Sequence, residues 1–321
     1  MPNDQPIPIR ELPTPSLVQK VRAVIAEANR IILGKEAQIR LALVCLITGG
    51  HLLIEDIPGV GKTTLAQTLA RSLGLSYQRI QFTSDLLPAD IIGASIYERQ
   101  SGEFRFHQGP IFAHLILADE VNRATPKAQS ALLEAMEERQ VTVDGVTRPL
   151  PQPFFVIATQ NPLHQVGTFP LPESQLDRFL MRIGLGYPGE KAERDLLQGR
   201  DRRELLHGLQ PLLNAPELMA LRTAAFKVHV SDALLDYLQA LVRHTREAPR
   251  YENGLSPRAA IALKHAAQAW ALLMGRAGVI PEDLQAVLPG VVGHRLRLKA
   301  THESSASTSV AKELLEAVPI P

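Results

Sequence analysis

Apolar positions along this chain follow two rhythms. Up to about residue 188, short continuous apolar runs alternate with stretches of helical period; beyond it only the helical period remains. Leu52-Leu53-Ile54, Leu115-Ile116-Leu117-Ala118 and Phe154-Phe155-Val156-Ile157-Ala158 are apolar without a break, as expected of strands covered on both faces. Residues 77–82 alternate apolar and polar and predict a further strand, and 179–185 are a candidate fifth. Between these runs, 16–30, 42–47, 65–73 and 126–139 read as helices, with Gly34 separating the first two. Strands alternating with helices predict an α/β fold with a parallel sheet flanked by helices. Two hairpins interrupt the alternation. Asp144-Gly145 lies between Val141-Thr142-Val143 and Val146-Thr147, a strong tight-turn signal. Ile96-Tyr97 and Phe104-Arg105-Phe106 flank Ser101-Gly102, so Tyr97, Phe104 and Phe106 read as hairpin packing rather than a base-stacking platform.

After Tyr187-Pro188-Gly189 the pattern is all helix. Ser231 can cap a helix that carries Leu234, Leu235, Leu238, Leu241 and Val242 on one face. Ser256-Pro257 is a cap followed by proline at the first helical position, and Pro281-Glu282-Asp283 opens another helix. The expected organisation is a disordered, Pro-rich lead-in over 1–15, an α/β core over 16–188, and a smaller all-helical domain with a C-terminal tail over 189–321. The tail is Ser-rich and then weakly helical.

Composition adds bounds. A chain of 321 residues, 45% hydrophobic and 21% charged, is an ordinary globular protein of two-domain length. Its net charge of +1 favours neither nucleic acid nor acidic lipid as a bulk partner. The basic clusters at 200–203 and at His294-Arg295-Leu296-Arg297-Leu298-Lys299 read as solvated faces or tail. The single cysteine, Cys45, excludes an internal disulfide and a cysteine metal cluster, and its apolar surroundings predict a buried, inert thiol. No apolar stretch reaches membrane-spanning length, and the polar start lacks a signal-peptide core, so a cytoplasmic location is expected. His51, His107, His114 and His164 lack metal-ligand spacing and are expected to be structural or surface residues.

The chemistry concentrates after the first buried run. Asp56-Ile57-Pro58-Gly59-Val60-Gly61-Lys62-Thr63-Thr64 stands between a strand and a helix. Such a loop turns backbone N–H groups toward one point, and the helix adds its positive end. A nucleoside triphosphate fits there, with Lys62 on the β- and γ-phosphates and the Thr63 hydroxyl on Mg²⁺. The string departs from the P-loop pattern at one position, where Asp56 replaces glycine. The buried run 115–118 ends in Asp119-Glu120. Ligand crevices of open parallel sheets lie beyond the C-terminal strand ends, so both carboxylates can face the P-loop. Asp119 is suited to organise Mg²⁺ and Glu120 to polarise the attacking water. Asn161, in Thr159-Gln160-Asn161-Pro162, ends the next buried strand and can hydrogen-bond the γ-phosphate or the water; a plain turn is the alternative. Arg178 is an arginine finger or a partner in a local ion pair, and the residues alone leave both open. Arg258, in the first turn after Ser256-Pro257, opposes the helix dipole unless an anion such as a γ-phosphate lies nearby; an exposed arginine is the equal alternative.

In this order the motifs resemble an AAA+ ATPase of the MoxR family, over about 21–298. Ile54-Glu55-Asp56-Ile57-Pro58-Gly59-Val60-Gly61-Lys62-Thr63 is similar to its Walker A, in which an acidic residue before the loop is common. Leu117-Ala118-Asp119-Glu120-Val121-Asn122-Arg123-Ala124 resembles Walker B, Ala158-Thr159-Gln160-Asn161-Pro162 sensor 1, Pro172-Glu173-Ser174-Gln175-Leu176-Asp177-Arg178-Phe179 the finger segment, and Gly254-Leu255-Ser256-Pro257-Arg258-Ala259 sensor 2. The resemblance implies ATP and Mg²⁺ as cofactors, Glu120 as base, Asn161 positioning water, Arg258 reaching the γ-phosphate from the lid, and Arg178 acting in trans. It places Ile32-Leu33-Gly34 at adenine. The hairpins around 101–102 and 144–145 resemble the helix-2 insert and the pre-sensor-1 hairpin. It also implies a ring, usually hexameric, a chaperone-like task on a client, and a von Willebrand factor A domain partner, with metal or cofactor insertion as one outcome. A nucleic-acid motor or loader of the helix-2-insert type and a nucleotide-gated scaffold are the alternatives, and a small-molecule P-loop kinase fits the helical lid less well.

Overall fold

The computed structural model describes residues 15–162, 168–199, 202–299 and 307–320. The expected lead-in and His164 lie outside these residues, except that Pro15 already begins the first helix. In chain order the elements are α1 (Pro15–Ile31), α2 (Glu36–Thr48), β1 (Leu52–Glu55), α3 (Lys62–Ser72), β2 (Tyr77–Gln81), α4 (Pro88–Ile92), β3 (Gly93–Glu98), β4 (Glu103–Gln108), β5 (Leu115–Asp119), α5 (Pro126–Glu138), β6 (Gln140–Val143), β7 (Val146–Pro149), β8 (Phe155–Gln160), α6 (Glu173–Leu176) and β9 (Met181–Ile183). Helices alone follow: α7 (Glu190–Gln198), α8 (Arg202–His207), α9 (Ala215–Ala225), α10 (Asp232–Glu247), α11 (Pro257–Leu273), α12 (Pro281–Val292) and α13 (Ser307–Ala317).

Among the described residues one five-stranded sheet forms, in the order β2-β5-β8-β1-β9, with every neighbouring pair parallel. Successive side chains of a strand leave opposite faces, and the core divides accordingly. Leu52, Ile54, Leu115, Leu117 and Ile157 join α1, α2, α3 and the C-terminal helices in one cluster. Leu53, Ile116, Ala118, Val156 and Ala158 join α5 in the other. Both hairpins form, β3–β4 and β6–β7. Phe106 packs as expected, edge-on to Phe112 and under the Arg148 guanidinium at 3.8 Å, so it ties the two hairpins together. Tyr97 and Phe104 do not pack inward; they lean on each other at 5.4 Å, and Phe104 is 74% exposed.

The tail expected to be weakly helical ends in α13. Its Val310, Ala311 and Leu314 are buried against α10 and α12, and Arg250 pairs with Glu313. Packing of an apolar face supplies what local propensity lacks. The basic stretch at 294–299 is solvated only in part: Arg297 and Lys299 are exposed, but the Arg295 side chain is 6% exposed. No described helix is long and apolar enough to cross a membrane.

Because the strands are parallel, the sheet has two unlike edges. The loop after β1 and the ends of β5 and β8 share the C-terminal edge. His51, the end of α5 and the start of β9 share the N-terminal edge, where Leu180 N–H donates to the His51 carbonyl at 2.8 Å. The buried His51 ring accepts the Val156 N–H at Nδ1 (3.0 Å) and donates from Nε2 to the Met136 carbonyl (3.2 Å). Those partners require the neutral ring, and burial pushes its pKa down to about 4. The unfolded chain takes up this proton near pH 6.5, so the stabilisation is complete above that value and is lost as pH falls toward 4. Urea unfolding is expected to weaken across that window by on the order of 3 kcal/mol from this group. The loss should be smaller in His51→Gln; equal pH slopes for the two chains would contradict the account.

Candidate nucleotide site

The P-loop leaves β1 at Glu55 and enters α3 at Lys62. Gly59 and Gly61 have φ of +85° and +97°, in the left-handed region that glycine adopts without strain, and the space beside both is open. Lys62 Nζ donates to the Asp56 carbonyl at 2.6 Å. Burial lowers its pKa, while the carboxylates of Asp56, Asp119 and Glu120 oppose that shift. Lys62 and the two strand-end carboxylates therefore belong to one electrostatic environment.

Thr159 joins the carboxylates. Its hydroxyl donates to Asp119 Oδ1 at 2.6 Å and accepts the Glu120 N–H at 2.9 Å. Asp119 Oδ2 accepts from Arg79 Nε at 3.1 Å. Glu120 sits at φ 58° and ψ 49°, which costs a non-glycine residue about 1–2 kcal/mol. Glu120 Oε2 lies 3.1 Å from Arg123 Nη1 and 3.3 Å from Gln81 Nε2. Gln81 in turn accepts from Arg79 at 2.8 Å. Thr159, Arg79 and Gln81 are absent from the sequence-derived site. Arg79 and Gln81 stand two apart on β2, and the register Gln81↔Asp119 brings them to the carboxylates. Asn161 follows β8 at the same edge. Thr63 and Thr64 occupy the first turn of α3, partly buried.

The segment expected at adenine meets the first helix after the α/β part. Gly34 has φ +71°, and a Cβ there would lie 3.1 Å from Ala192 Cβ. Lys35 Nζ donates to the Tyr187 carbonyl at 2.7 Å.

Arg178 and Arg258 lie elsewhere. Arg178 precedes β9, at the N-terminal edge, and pairs with Glu137 near the end of α5. Arg258 Nη2 binds the other oxygen of the same carboxylate, at 2.7 Å. The Arg258 hydrogen bond, with both guanidinium charges, holds the Glu137 carboxyl below its usual range. Arg258, expected to reach a γ-phosphate from the lid, stands in this chain at Glu137 and not at the P-loop. Helix α11 packs on α2, and its first turn reaches the end of α5 instead of the P-loop. Six residues of β8 separate the two edges, roughly 20 Å at about 3.3 Å per residue.

Residues 51–181 match the model of the ATPase family associated with various cellular activities (AAA), and residues 243–316 match an AAA lid domain. Chaperone MoxR1 of Mycobacterium tuberculosis is 40% identical, over 95% of this chain and 83% of its own length. The chain belongs to the MoxR family of AAA+ ATPases. The uncharacterized protein YeaC of Bacillus subtilis is 44% identical over 92% of this chain and 93% of its own. Protein MoxR of Methylorubrum extorquens is 31% identical over 92% and 93%. A crystal structure from Cytophaga hutchinsonii, described as a candidate ATPase, superposes with a TM-score of 0.87 at 39% identity, covering 95% of this chain and 96% of that one.

The residues present suit the nucleotide that the family implies. An open glycine loop, a half-buried lysine and a helix N-terminus converge at one edge, and hydroxyl and carboxylate oxygens beside them are the donors Mg²⁺ takes. Asp56, the departure from the P-loop pattern, gains a reason in this MoxR-family chain. Its Oδ1 accepts the Ile57 N–H at 2.8 Å, and its Oδ2 accepts the Leu185 and Gly186 N–H groups at 2.6 Å each. The carboxylate thus clasps the start of the loop to the strand exit that leads into the helical part. Three N–H donors lose a charged acceptor in Asp56→Ala, a loss expected to destabilise the chain by about 2–4 kcal/mol. Denaturant midpoints equal to those of the parent chain would remove this role.

Proposed function

We propose that the chain hydrolyses ATP to ADP and phosphate within a ring of identical subunits, and that the cycle remodels a partner protein. The observation that carries this reading is the division of the residues between two sheet edges. Lys62, Thr63, Asp119, Glu120 and Asn161 belong to one edge, Arg178 and Arg258 to the other. A second copy of the chain brings the two sets together.

In this reading the P-loop N–H groups and Lys62 hold the β- and γ-phosphates. The Thr63 hydroxyl and Asp119 would hold Mg²⁺, which would supply neutralisation of developing phosphate charge. Glu120 takes a proton from a water oriented by Asn161. The water oxygen bonds to the γ-phosphorus while the bond to the β,γ-bridging oxygen breaks, and the electron pair leaves on ADP. Arg178 and Arg258 of the neighbouring copy supply positive charge where negative charge accumulates. Glu137, which engages both guanidinium groups in the single chain, gives them up to that phosphate. Adenine rests between 33–34 and the helix that starts at Glu190.

Remodelling is supported by the relative named a chaperone and by the exposed Tyr97–Phe104 tip, an apolar handle on a hairpin. A von Willebrand factor A domain protein as adaptor, with metal or cofactor insertion into a client, is the form of this task that family resemblance suggests. A net charge of +1 supports a protein client over nucleic acid.

Nucleotide binding and turnover are expected to separate by residue. Lys62→Ala abolishes ATP binding. Glu120→Gln retains it and lowers turnover by about 10²–10⁴-fold, measured as phosphate release against equilibrium binding of a fluorescent ATP analogue. A Glu120→Gln chain with parental turnover would refute the base assignment. Arg178→Ala and Arg258→Ala should each leave ATP affinity of the dispersed chain unchanged and slow hydrolysis in the assembly. Lost affinity in the dispersed chain would place either arginine on its own nucleotide.

A further inference from the structure

Immediately after α12 the chain turns back, and residues 294–297 grip the segment that carries Arg178. Arg295 is the centre of the grip. Its Nε donates to Asp177 Oδ1 at 2.6 Å. Its Nη2 donates to the carbonyls of Phe179 (2.7 Å) and Asp177 (3.2 Å), and its Nη1 to those of Leu180 (3.1 Å) and Val291. On one side His294 Nε2 lies 3.0 Å from the Phe179 carbonyl, and on the other Arg297 pairs with Glu173 at 2.8 Å. Acceptors on residues 177, 179 and 180 thus bracket Arg178, while Arg178 itself points outward to Glu137.

A buried guanidinium is costly unless its donors are met, and an apolar side chain of similar volume serves stability as well or better. What an apolar residue lacks is direction. A planar fork on a carboxylate and four carbonyls, three of them at residues 177, 179 and 180, fixes the backbone on both sides of one residue. We propose that Arg295 is a positioning residue for Arg178, setting where the finger stands when it meets the nucleotide of a second copy. This rests on the trans reading above.

The same return segment also positions Arg258. Leu298 bridges Tyr251, Glu252 N–H donates to the Arg297 carbonyl at 3.0 Å, and Lys299 N–H donates to the Arg250 carbonyl at 2.9 Å. The strand-like pair thus formed leads into Ser256 and the first turn of α11, where Arg258 stands. The 294–299 segment therefore holds the approach to both arginines. A displacement of about 1 Å at a catalytic group costs on the order of 100-fold in rate, so a loosened grip should be visible in turnover before it is visible in folding.

Mixed assemblies test the proposal. Lys62→Ala chains bind no ATP yet can donate a finger; Arg178→Ala chains bind ATP and donate none. Mixing the two is expected to restore phosphate release. Arg295→Met is then added to one partner at a time. In the Lys62→Ala donor it should reduce the restored rate by about 10–100-fold, the scale of a misplaced group. In the Arg178→Ala acceptor it should leave the rate unchanged, because that chain has no finger to position. Asp177→Asn in the donor keeps four of the five acceptors and should cost less. Equal losses in donor and acceptor mean a purely structural residue and overturn the proposal, as does a donor with undiminished rate. Failure of the parent mixture to restore any turnover overturns the trans reading, and this proposal with it.

Discussion

The polarity of the parallel sheet is the constraint from which the rest follows. Five strands run the same way, so everything attached to their ends gathers at one edge and everything attached to their starts at the other. The first set is a glycine loop with its lysine and two carboxylates; the second is a pair of arginines on one shared glutamate. No side chain is long enough to close a gap of roughly 20 Å, the length of β8 at about 3.3 Å per residue. In the proposed reading, a single copy carries the two halves of a phosphoryl-transfer site at opposite edges of its sheet, and a second copy completes it.

Two buried or half-buried contacts connect these halves through the helical part of the chain. Asp56 fastens the P-loop to residues 185–186, and Arg295 fastens the end of α12 to residues 177–180. Both are charged groups meeting backbone acceptors or donors, interactions that fix geometry more than they add net stability. Arg182 reinforces this route, since it pairs with Glu55 at 2.7 Å and also donates to the Gly293 carbonyl beside Arg295. The P-loop and the elements that carry Arg178 are therefore parts of one hydrogen-bonded framework within a chain.

Much of this was legible in the sequence where the signal is local. Continuous apolar runs mark strands buried on both faces, Asp144-Gly145 marks a hairpin, and the glycine–lysine–threonine string marks a turn into a helix. The adjacent acids at 119–120 were readable for the same reason. What escaped depends on strand order and on contacts far apart in sequence. Thr159, Arg79 and Gln81 reach the carboxylates only because β5 lies between β2 and β8. The side of the sheet on which Arg258 stands is set by α11 packing against α2, which no local pattern encodes. Arg295 lies in a run of alternating basic residues that reads as solvated, and its burial is decided by carbonyls more than a hundred positions earlier. Helix α13 looks weak alone and is held by the apolar face it covers.

The division of the site between two copies is tested most directly by ATP turnover per chain across a dilution series, with the mass of the assembly measured in the same samples. Specific activity that rises in step with assembly, and vanishes in the monomer while ATP still binds, is the expected result. A turnover rate that stays constant while the chain remains monomeric would contradict it, because one chain would then complete the site alone.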